Sequence, residues 1–133
     1  MSENLDLVRS IYADWERDYF GSAEWAHPEI EWVMADGPAP GTWKGVAGMA
    51  EGWRDFLGAW RDFRIQAEEF HELDSERVLV LGHYTGRGKT SGLEVAEMQA
   101  TGAGLLYIRG GKVTRIVFYL DRAHALADVG LEE

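Results

Sequence analysis

Residues 111–121 read Gly111-Lys112-Val113-Thr114-Arg115-Ile116-Val117-Phe118-Tyr119-Leu120-Asp121 and run straight into Arg122-Ala123-His124-Ala125-Leu126. A Gly-Lys turn launches a strand rich in β-branched and aromatic residues. The strand ends in a single carboxylate. A short helix is expected over Arg122 to Ala127, with Gly130 closing the segment. This order puts one acid at the mouth of whatever the strand lines.

Working back from that strand, three more are expected: Glu94 to Ile108, Arg77 to Arg87 and Phe63 to Glu72. In the middle one, Val78-Leu79-Val80-Leu81 is apolar on both faces, as in a strand covered on both sides. The connectors Glu72 to Glu76, Gly86 to Gly92 and Gly110-Gly111 are short enough for antiparallel hairpins. Upstream the apolar period changes. Leu5, Val8, Ile11, Tyr12, Trp15 and Tyr19 recur at steps of three and four, which predicts a helix that Gly21 stops. His27-Pro28 breaks the chain, and Ile30-Glu31-Trp32-Val33-Met34 reads as a strand. Asp36-Gly37-Pro38-Ala39-Pro40-Gly41 must be a loop. From Val46 to Trp60 the pattern is helical again, with Met49, Trp53, Phe56, Leu57 and Trp60 on one side, weakened by Gly48, Gly52 and Gly58.

The fold class is therefore α+β in a single domain over residues 1–133, with helices packed on a strongly curved antiparallel sheet. A strand that is apolar on both faces leaves the outer face in need of cover. A second copy of the chain is the expected cover, so a homodimer through the outer sheet face is predicted.

The bulk properties remove several function classes. The 133 residues are 46% hydrophobic and carry a net charge of −10, with a pI of about 4.8. Such a surface repels phosphate backbones, so no nucleic-acid partner is expected. There is no cysteine, hence no disulfide and no thiolate chemistry. The acidic start, Met1-Ser2-Glu3-Asn4-Leu5-Asp6, does not read as a signal peptide. No apolar run approaches a membrane span, so no membrane partner is expected and the location is read as cytoplasmic. Six Trp, five Tyr and five Phe point to cores, interfaces or ligand pockets.

The order of elements, carried by Tyr12, His27-Pro28-Glu29-Ile30-Glu31-Trp32, Gly45, Gly86-Arg87-Gly88, and Gly111-Lys112-Val113 through Tyr119-Leu120-Asp121, resembles the SnoaL-like branch of the NTF2-like superfamily. The resemblance implies a cone-shaped α+β barrel around an apolar pocket, usually dimerising through the outer sheet face. The superfamily holds polyketide cyclases, ketosteroid isomerase, limonene-epoxide hydrolase, dehydratases and non-enzymatic binders, so fold alone does not choose among them.

In polyketide cyclases of this kind an aspartate ending the last strand is the acid/base, and Asp121 matches it. Desolvation at an apolar mouth would raise its pKa toward neutrality. The alternative is that Asp121 caps the helix after it. His83 shares a strand face with Leu79 and Leu81. It is either a core or interface histidine or a second proton carrier beside Asp121. Tyr12, Trp15 and Tyr19 fall on the inner face of the first helix, and Tyr12 lies near the position of the isomerase's oxyanion tyrosine. The isomerase's base falls near Met34 and its second acid near Gly104, neither of which is an acid, though Asp36 lies two residues beyond Met34. Epoxide hydrolase chemistry needs an Asp-Arg-Asp set, and only Asp121 and Arg115 are in place; Glu97 is the sole inward candidate for the second acid. Trp32, Met34, Trp53, Phe56, Trp60, Met98 and Tyr119 complete the expected ligand wall. Gly102 and Gly104 leave room on their strand face, for a ligand or for side chains from the helices.

No metal is expected. Glu94, Glu97 and Gln99 beside His83 do not make a convergent set, and His27, His71, His83 and His124 sit on different elements. Gly82 to Thr90 has the wrong spacing for a phosphate loop and opens no helix. The resulting expectation is a protein that binds a small apolar molecule, polycyclic or carbonyl-bearing. It would catalyse a cofactor-free cyclase, isomerase or dehydratase step through Asp121, with His83 assisting. The alternative is a non-catalytic small-ligand binder or dimeric interaction protein of the same fold.

Overall fold

Helix α1 (Glu3–Glu16) forms because Val8, Ile11, Tyr12 and Trp15 recur at steps of three and four and all four are buried. Its end comes earlier than Gly21. The N–H groups of Arg17 and Tyr19 both donate to the Asp14 carbonyl, at 3.1 and 2.9 Å, and turn the chain off the helix axis. The remaining elements are β1 (Ala26–Met34), β2 (Gly41–Lys44), α2 (Gly45–Gly58), β3 (Trp60–Glu72), β4 (Arg77–Gly88), β5 (Glu97–Arg109), β6 (Lys112–Tyr119) and α3 (Arg122–Asp128). This computed structural model describes residues 3–17, 19–21, 23–36, 40–58, 60–88 and 97–130, and of residues 61–62, 87–88 and 97–100 the backbone only. The expected hairpin connector from Lys89 to Gly92 and most of the loop between Asp36 and Gly41 lie outside the described residues.

The six strands form one open sheet in the order β2-β1-β6-β5-β4-β3. Four of its pairings are antiparallel: β3–β4, β4–β5 and β5–β6, as expected from the short connectors, and β1–β2, whose second strand was not expected. The fifth is parallel: β1 lies along β6, with Trp32 opposite Ile116 and Met34 opposite Phe118. That pairing joins residues far apart in the chain, which no local pattern reveals. It brings the C-terminal ends of β1 and β6 to the same end of the sheet.

The sheet bends where its register slips, at Arg61/Arg64 and Ala67/Glu69 in β3 and at Tyr107/Ile108 in β5. At the second of these, the free N–H of Ala67 donates to the Glu16 carboxylate at 2.8 Å, so the last residue of α1 fastens the bulge. On the inner face α1 and α2 cover Ile30, Trp32, Val78, Val80, Leu106, Ile116 and Phe118. On the outer face Val33, Leu79, Leu81, Ala103, Leu105, Val117 and Tyr119 form a second cluster, with Ala125 and Leu126 of α3 packed into it. The face expected to need a second copy as cover is thus covered in part by the chain's own last helix.

Helix α2 holds four glycines in fourteen residues, which costs about 1 kcal/mol each relative to alanine on propensity alone. Gly45 starts it with φ +78°, a conformation other residues rarely adopt. Gly52 is a packing requirement. A Cβ there would lie 2.5 Å from Cε3 of Trp32, a ring that is 1% exposed. A Cβ at Gly58 would meet nothing within 4 Å. The two glycines therefore predict opposite outcomes. Gly52→Ala should lose about 1–3 kcal/mol of stability through overpacking, and Gly58→Ala should gain up to about 1 kcal/mol. Thermal or urea unfolding of the two variants checks this, and equal shifts for both would contradict the packing.

Candidate functional site

The inner face of the sheet and the inner side of α2 enclose an apolar cavity of about 10 Å³, room for roughly one water molecule. β1 contributes Trp32 and Met34, α2 contributes Trp53 and Phe56, and β3 contributes Phe63 and Ile65. Tyr84 of β4, Phe118 of β6 and Leu120 complete the wall. The rings meet at steep angles. Trp53 stands 5.2 Å from Trp32 and 5.3 Å from Phe118, centroid to centroid, at 61° and 66°. Edge-to-face contacts of this kind favour each pair but tile space imperfectly, and the cavity is the gap that remains. No charged side chain belongs to its lining.

Of the sequence-expected ligand wall, Trp32, Met34, Trp53 and Phe56 line this cavity. Tyr12 and Trp15 are buried in the same core but behind it. The Tyr12 hydroxyl is lodged against Gly104, where a Cβ would come within 2.1 Å of it, and the Tyr84 ring lies over Gly102. The room left by those two glycines is filled by tyrosines. Tyr19 does not reach the core. It is 51% exposed, because α1 ends before it, and Phe20 instead packs on Trp53 at 4.9 Å. Trp60 opens β3 rather than closing α2, since the helix stops at Gly58, and it packs at the margin of the core beside Phe56. Tyr119 points to the outer face, its hydroxyl donating to Asp128 at 3.0 Å. The side chain of Met98 lies outside the described residues.

The two expected catalytic residues do not meet in the cavity. Asp121 is exposed and caps α3, accepting the Ala123 N–H at 3.1 Å. His83 does share a face with Leu79 and Leu81, but that is the outer face. Its Nδ1 lies 2.9 Å from Glu68, whose other oxygen takes Arg122 at 3.2 Å. The strand parity was right, and the apolar pattern on both faces of β4 concealed which side was inside.

A different carboxylate touches the cavity wall. Asp36, just beyond β1, accepts the N–H of Leu120 at 2.6 Å through Oδ1 and pairs with Nδ1 of His124 at 2.8 Å through Oδ2. The parallel β1–β6 pair creates this site by delivering both strand ends together; Ala35 N–H to the Phe118 carbonyl, 2.9 Å, extends the ladder to it. The bond to Asp36 raises the His124 pKa above its ordinary value, and the charges of Asp128, Asp36 and Asp121 add to that against a smaller desolvation effect. Burial pushes the Tyr84 phenol well up, with the Asp36 charge adding to it, so that hydroxyl stays neutral at any ordinary pH. The sequence hint for Asp36 was its place two residues past Met34. For His124 there was none beyond its position on α3.

Among the described residues, no group of three His, Asp or Glu side chains converges in a way that could hold a metal ion, and no helix is long and apolar enough to cross a membrane. On the outer face an open groove of about 320 Å³ runs over Val33, Val117 and Leu105, between Arg77, Tyr107 and Arg115 on one side and Asp128 and Val129 on the other.

The family model of the SnoaL-like domain matches residues 8–116. No curated protein matches the chain. Among solved structures, TerC co-crystallised with polyporic acid is 26% identical, with a TM-score of 0.72, over 96% of this chain and 98% of TerC. An NTF2-like protein from Burkholderia thailandensis is 19% identical, with a TM-score of 0.76, over 99% of this chain and 100% of that one. A phenazine biosynthesis-related protein from Pseudomonas aeruginosa is 14% identical, with a TM-score of 0.71, over 98% and 87%. The last two show the fold.

The Asp36–His124 bond carries a pH signature. A histidine whose folded pKa is raised stabilises the fold fully below its unfolded value, about 6.5, and loses that contribution as pH rises through the folded value. Asp36→Asn should bring the His124 pKa back toward its ordinary value in an NMR titration. The gap in melting temperature between wild type and variant should be widest at mildly acid pH and narrow above neutrality. A gap that widens with pH would contradict the pairing.

Proposed function

The chain belongs to the SnoaL-like domain family, and from that membership we propose that it binds a small apolar, ring-bearing molecule in the cone between α2 and the inner sheet face. The observation that carries this reading is the cavity wall: six aromatic rings with three aliphatic side chains and no charged group. Ligand pockets are built of such walls, and TerC, similar over nearly its whole length, was crystallised with the small molecule polyporic acid.

The cavity of about 10 Å³ is far below the few hundred Å³ of a typical ligand site, so entry requires a wall to move. Helix α2 is that wall. Its glycines make it the least helix-prone element, and it contributes Trp53 and Phe56 to the lining. Binding then draws on the aromatic surface that the ligand covers when α2 parts from the sheet.

Neither Asp121 nor His83 is among the side chains that line the cavity, so a catalytic version of this reading rests on another residue. The residue that favours it is Asp36, joined to the cavity wall through the Leu120 N–H and held by His124. Asp36 would act as a base on a proton next to a ligand carbonyl, with no cofactor.

Tryptophan fluorescence titration with indane and 1-indanone tests the binding reading. At least one should bind saturably. Phe56→Ala, or Phe56→Leu if the first does not fold, should weaken binding about tenfold, which is about 1.4 kcal/mol. Asp121→Asn should leave affinity unchanged, and should cost stability no more than a few tenths of a kcal/mol because Asn caps as well as Asp. No saturable binding, or binding lost in Asp121→Asn and kept in the Phe56 variants, would overturn the proposal. For the catalytic version, wild type in D₂O should speed deuterium exchange at C2 of 1-indanone and Asp36→Asn should not; equal rates would end it.

A further inference from the structure

The outer face of the sheet carries a groove that the cone does not use. The strand registers set this face out in rows. Arg77, Tyr107, Arg115 and Glu31 stand opposite one another in the first row, on β4, β5, β6 and β1. Leu79, Leu105, Val117 and Val33 form the second row, two residues along each strand. Leu81, Ala103 and Tyr119 form the third, which Ala125 and Leu126 of α3 cover. The groove of about 320 Å³ runs over the second row. Arg77, Tyr107 and Arg115 make one wall, and Tyr119, Asp128 and Val129 make the other. That volume is at the lower end of small-molecule sites.

Shape and charge choose the occupant. Leu105, Val117 and Val33 sit on three adjacent strands, so the apolar floor spans two strand spacings, about 10 Å. A flat two-ring body covers such a floor. Because α3 stands over the third row, the face is a trough rather than the open surface on which a second sheet packs. The chain carries a net charge of −10, yet two guanidinium groups line one wall. Arg115 lies over the Tyr107 ring at 5.7 Å. Glu31 is 3.7 Å from its Nε, beyond a normal N–H···O bond, so that pair leaves the fork's donors unspent. Arg77 gives its Nε–H to Asp74 at 2.8 Å, and its fork carries further donors. The opposite wall has one acid, Asp128, which already accepts the Tyr119 hydroxyl at 3.0 Å and has His124 Nε2 at 3.6 Å. A negative group is therefore drawn to the first row and away from α3. A carboxylate matches the guanidinium fork with two parallel bonds.

We infer that the outer groove is a second ligand site, separate from the cone, and that it takes a small flat aromatic carboxylate. The rings lie on Leu105, Val117 and Val33, and the carboxylate meets Arg115 and Arg77. This site does not depend on the cone being a ligand site.

The test is calorimetric titration of the full chain with three probes of one ring skeleton: 2-naphthoate, its neutral amide 2-naphthamide, and the cation 2-naphthylmethylammonium. 2-Naphthoate should bind at least about tenfold tighter than either of the others. Arg115→Met, which keeps an apolar stem at a half-exposed position, should erase that advantage. In the ¹⁵N-labelled chain 2-naphthoate should shift the backbone amides of Leu105, Val117 and Val129. Absence of binding, or the amide or the cation binding as tightly as the acid, would overturn the inference. So would full 2-naphthoate affinity in Arg115→Met, since Arg115 does not line the cone and the acid would then be bound elsewhere. The competing occupant is a second copy of the chain. Sedimentation equilibrium decides that point: a wild-type dimer that Arg115→Glu splits would assign the groove to the second copy and overturn the ligand site.

Discussion

The contact between Trp32 and Gly52 sets the inner geometry of this protein. A bare backbone at position 52 lets α2 come down onto a buried indole until no Cβ would fit between them. Trp53, the next residue, then falls beside Trp32 and Phe118. Every later feature of the cone follows from that approach. The rings cannot lie flat on one another at this spacing, so they meet on edge, and rigid edges leave a small apolar gap. The same approach explains why a glycine-rich segment is helical here at all. Packing against β1, through Met49, Gly52 and Trp53, supplies what propensity does not.

The second constraint is the parallel pairing of β1 with β6. It places Met34, Phe118 and Leu120 at one end of the cavity and brings Asp36, Asp121 and α3 to the same end. The polar chemistry of the molecule gathers there, outside the rings. Asp36 ties β1 to the chain leaving β6, His124 ties α3 to Asp36, and Glu68 ties α3 through Arg122 to His83. Each of these side chains is at least partly exposed, so each pair contributes modestly to stability. Together they fix where α3 lies, and α3 in turn seals Leu81, Ala103 and Tyr119 on the outer face.

What the sequence disclosed was local. The Gly-Lys turn, the connector from Glu72 to Glu76 and the three-four period of α1 all report contacts between near neighbours; the two turns stand where expected, and α1 forms as expected but ends earlier than Gly21. Strand β2 was missed because four residues carry too little pattern. The parallel pair was missed because its partners lie more than eighty residues apart. The site followed the same division. Trp32, Met34, Trp53 and Phe56 were found through their periodicity. Tyr119 was taken for the inner face and Phe118 overlooked, since Val117 to Leu120 is apolar on both sides and alternation cannot name the inside. His83 lies with Leu79 and Leu81 on the outer face of β4, where the apolar pattern on both sides likewise could not name the inside. Asp121 carried two readings from the start, and its contact with the Ala123 N–H is the helix cap. The Asp36–His124 pair depends on the one pairing that the sequence could not show.

The central claim is that the aromatic cone, opened by movement of α2, is where a ring-bearing ligand sits. A crystal structure of the protein grown with 1-indanone tests it most directly. The account predicts the ligand between Trp53 and Phe118, with α2 shifted away from the sheet. A ligand lodged instead in the outer groove over Val117 and Leu105, with the cone still closed, would contradict it.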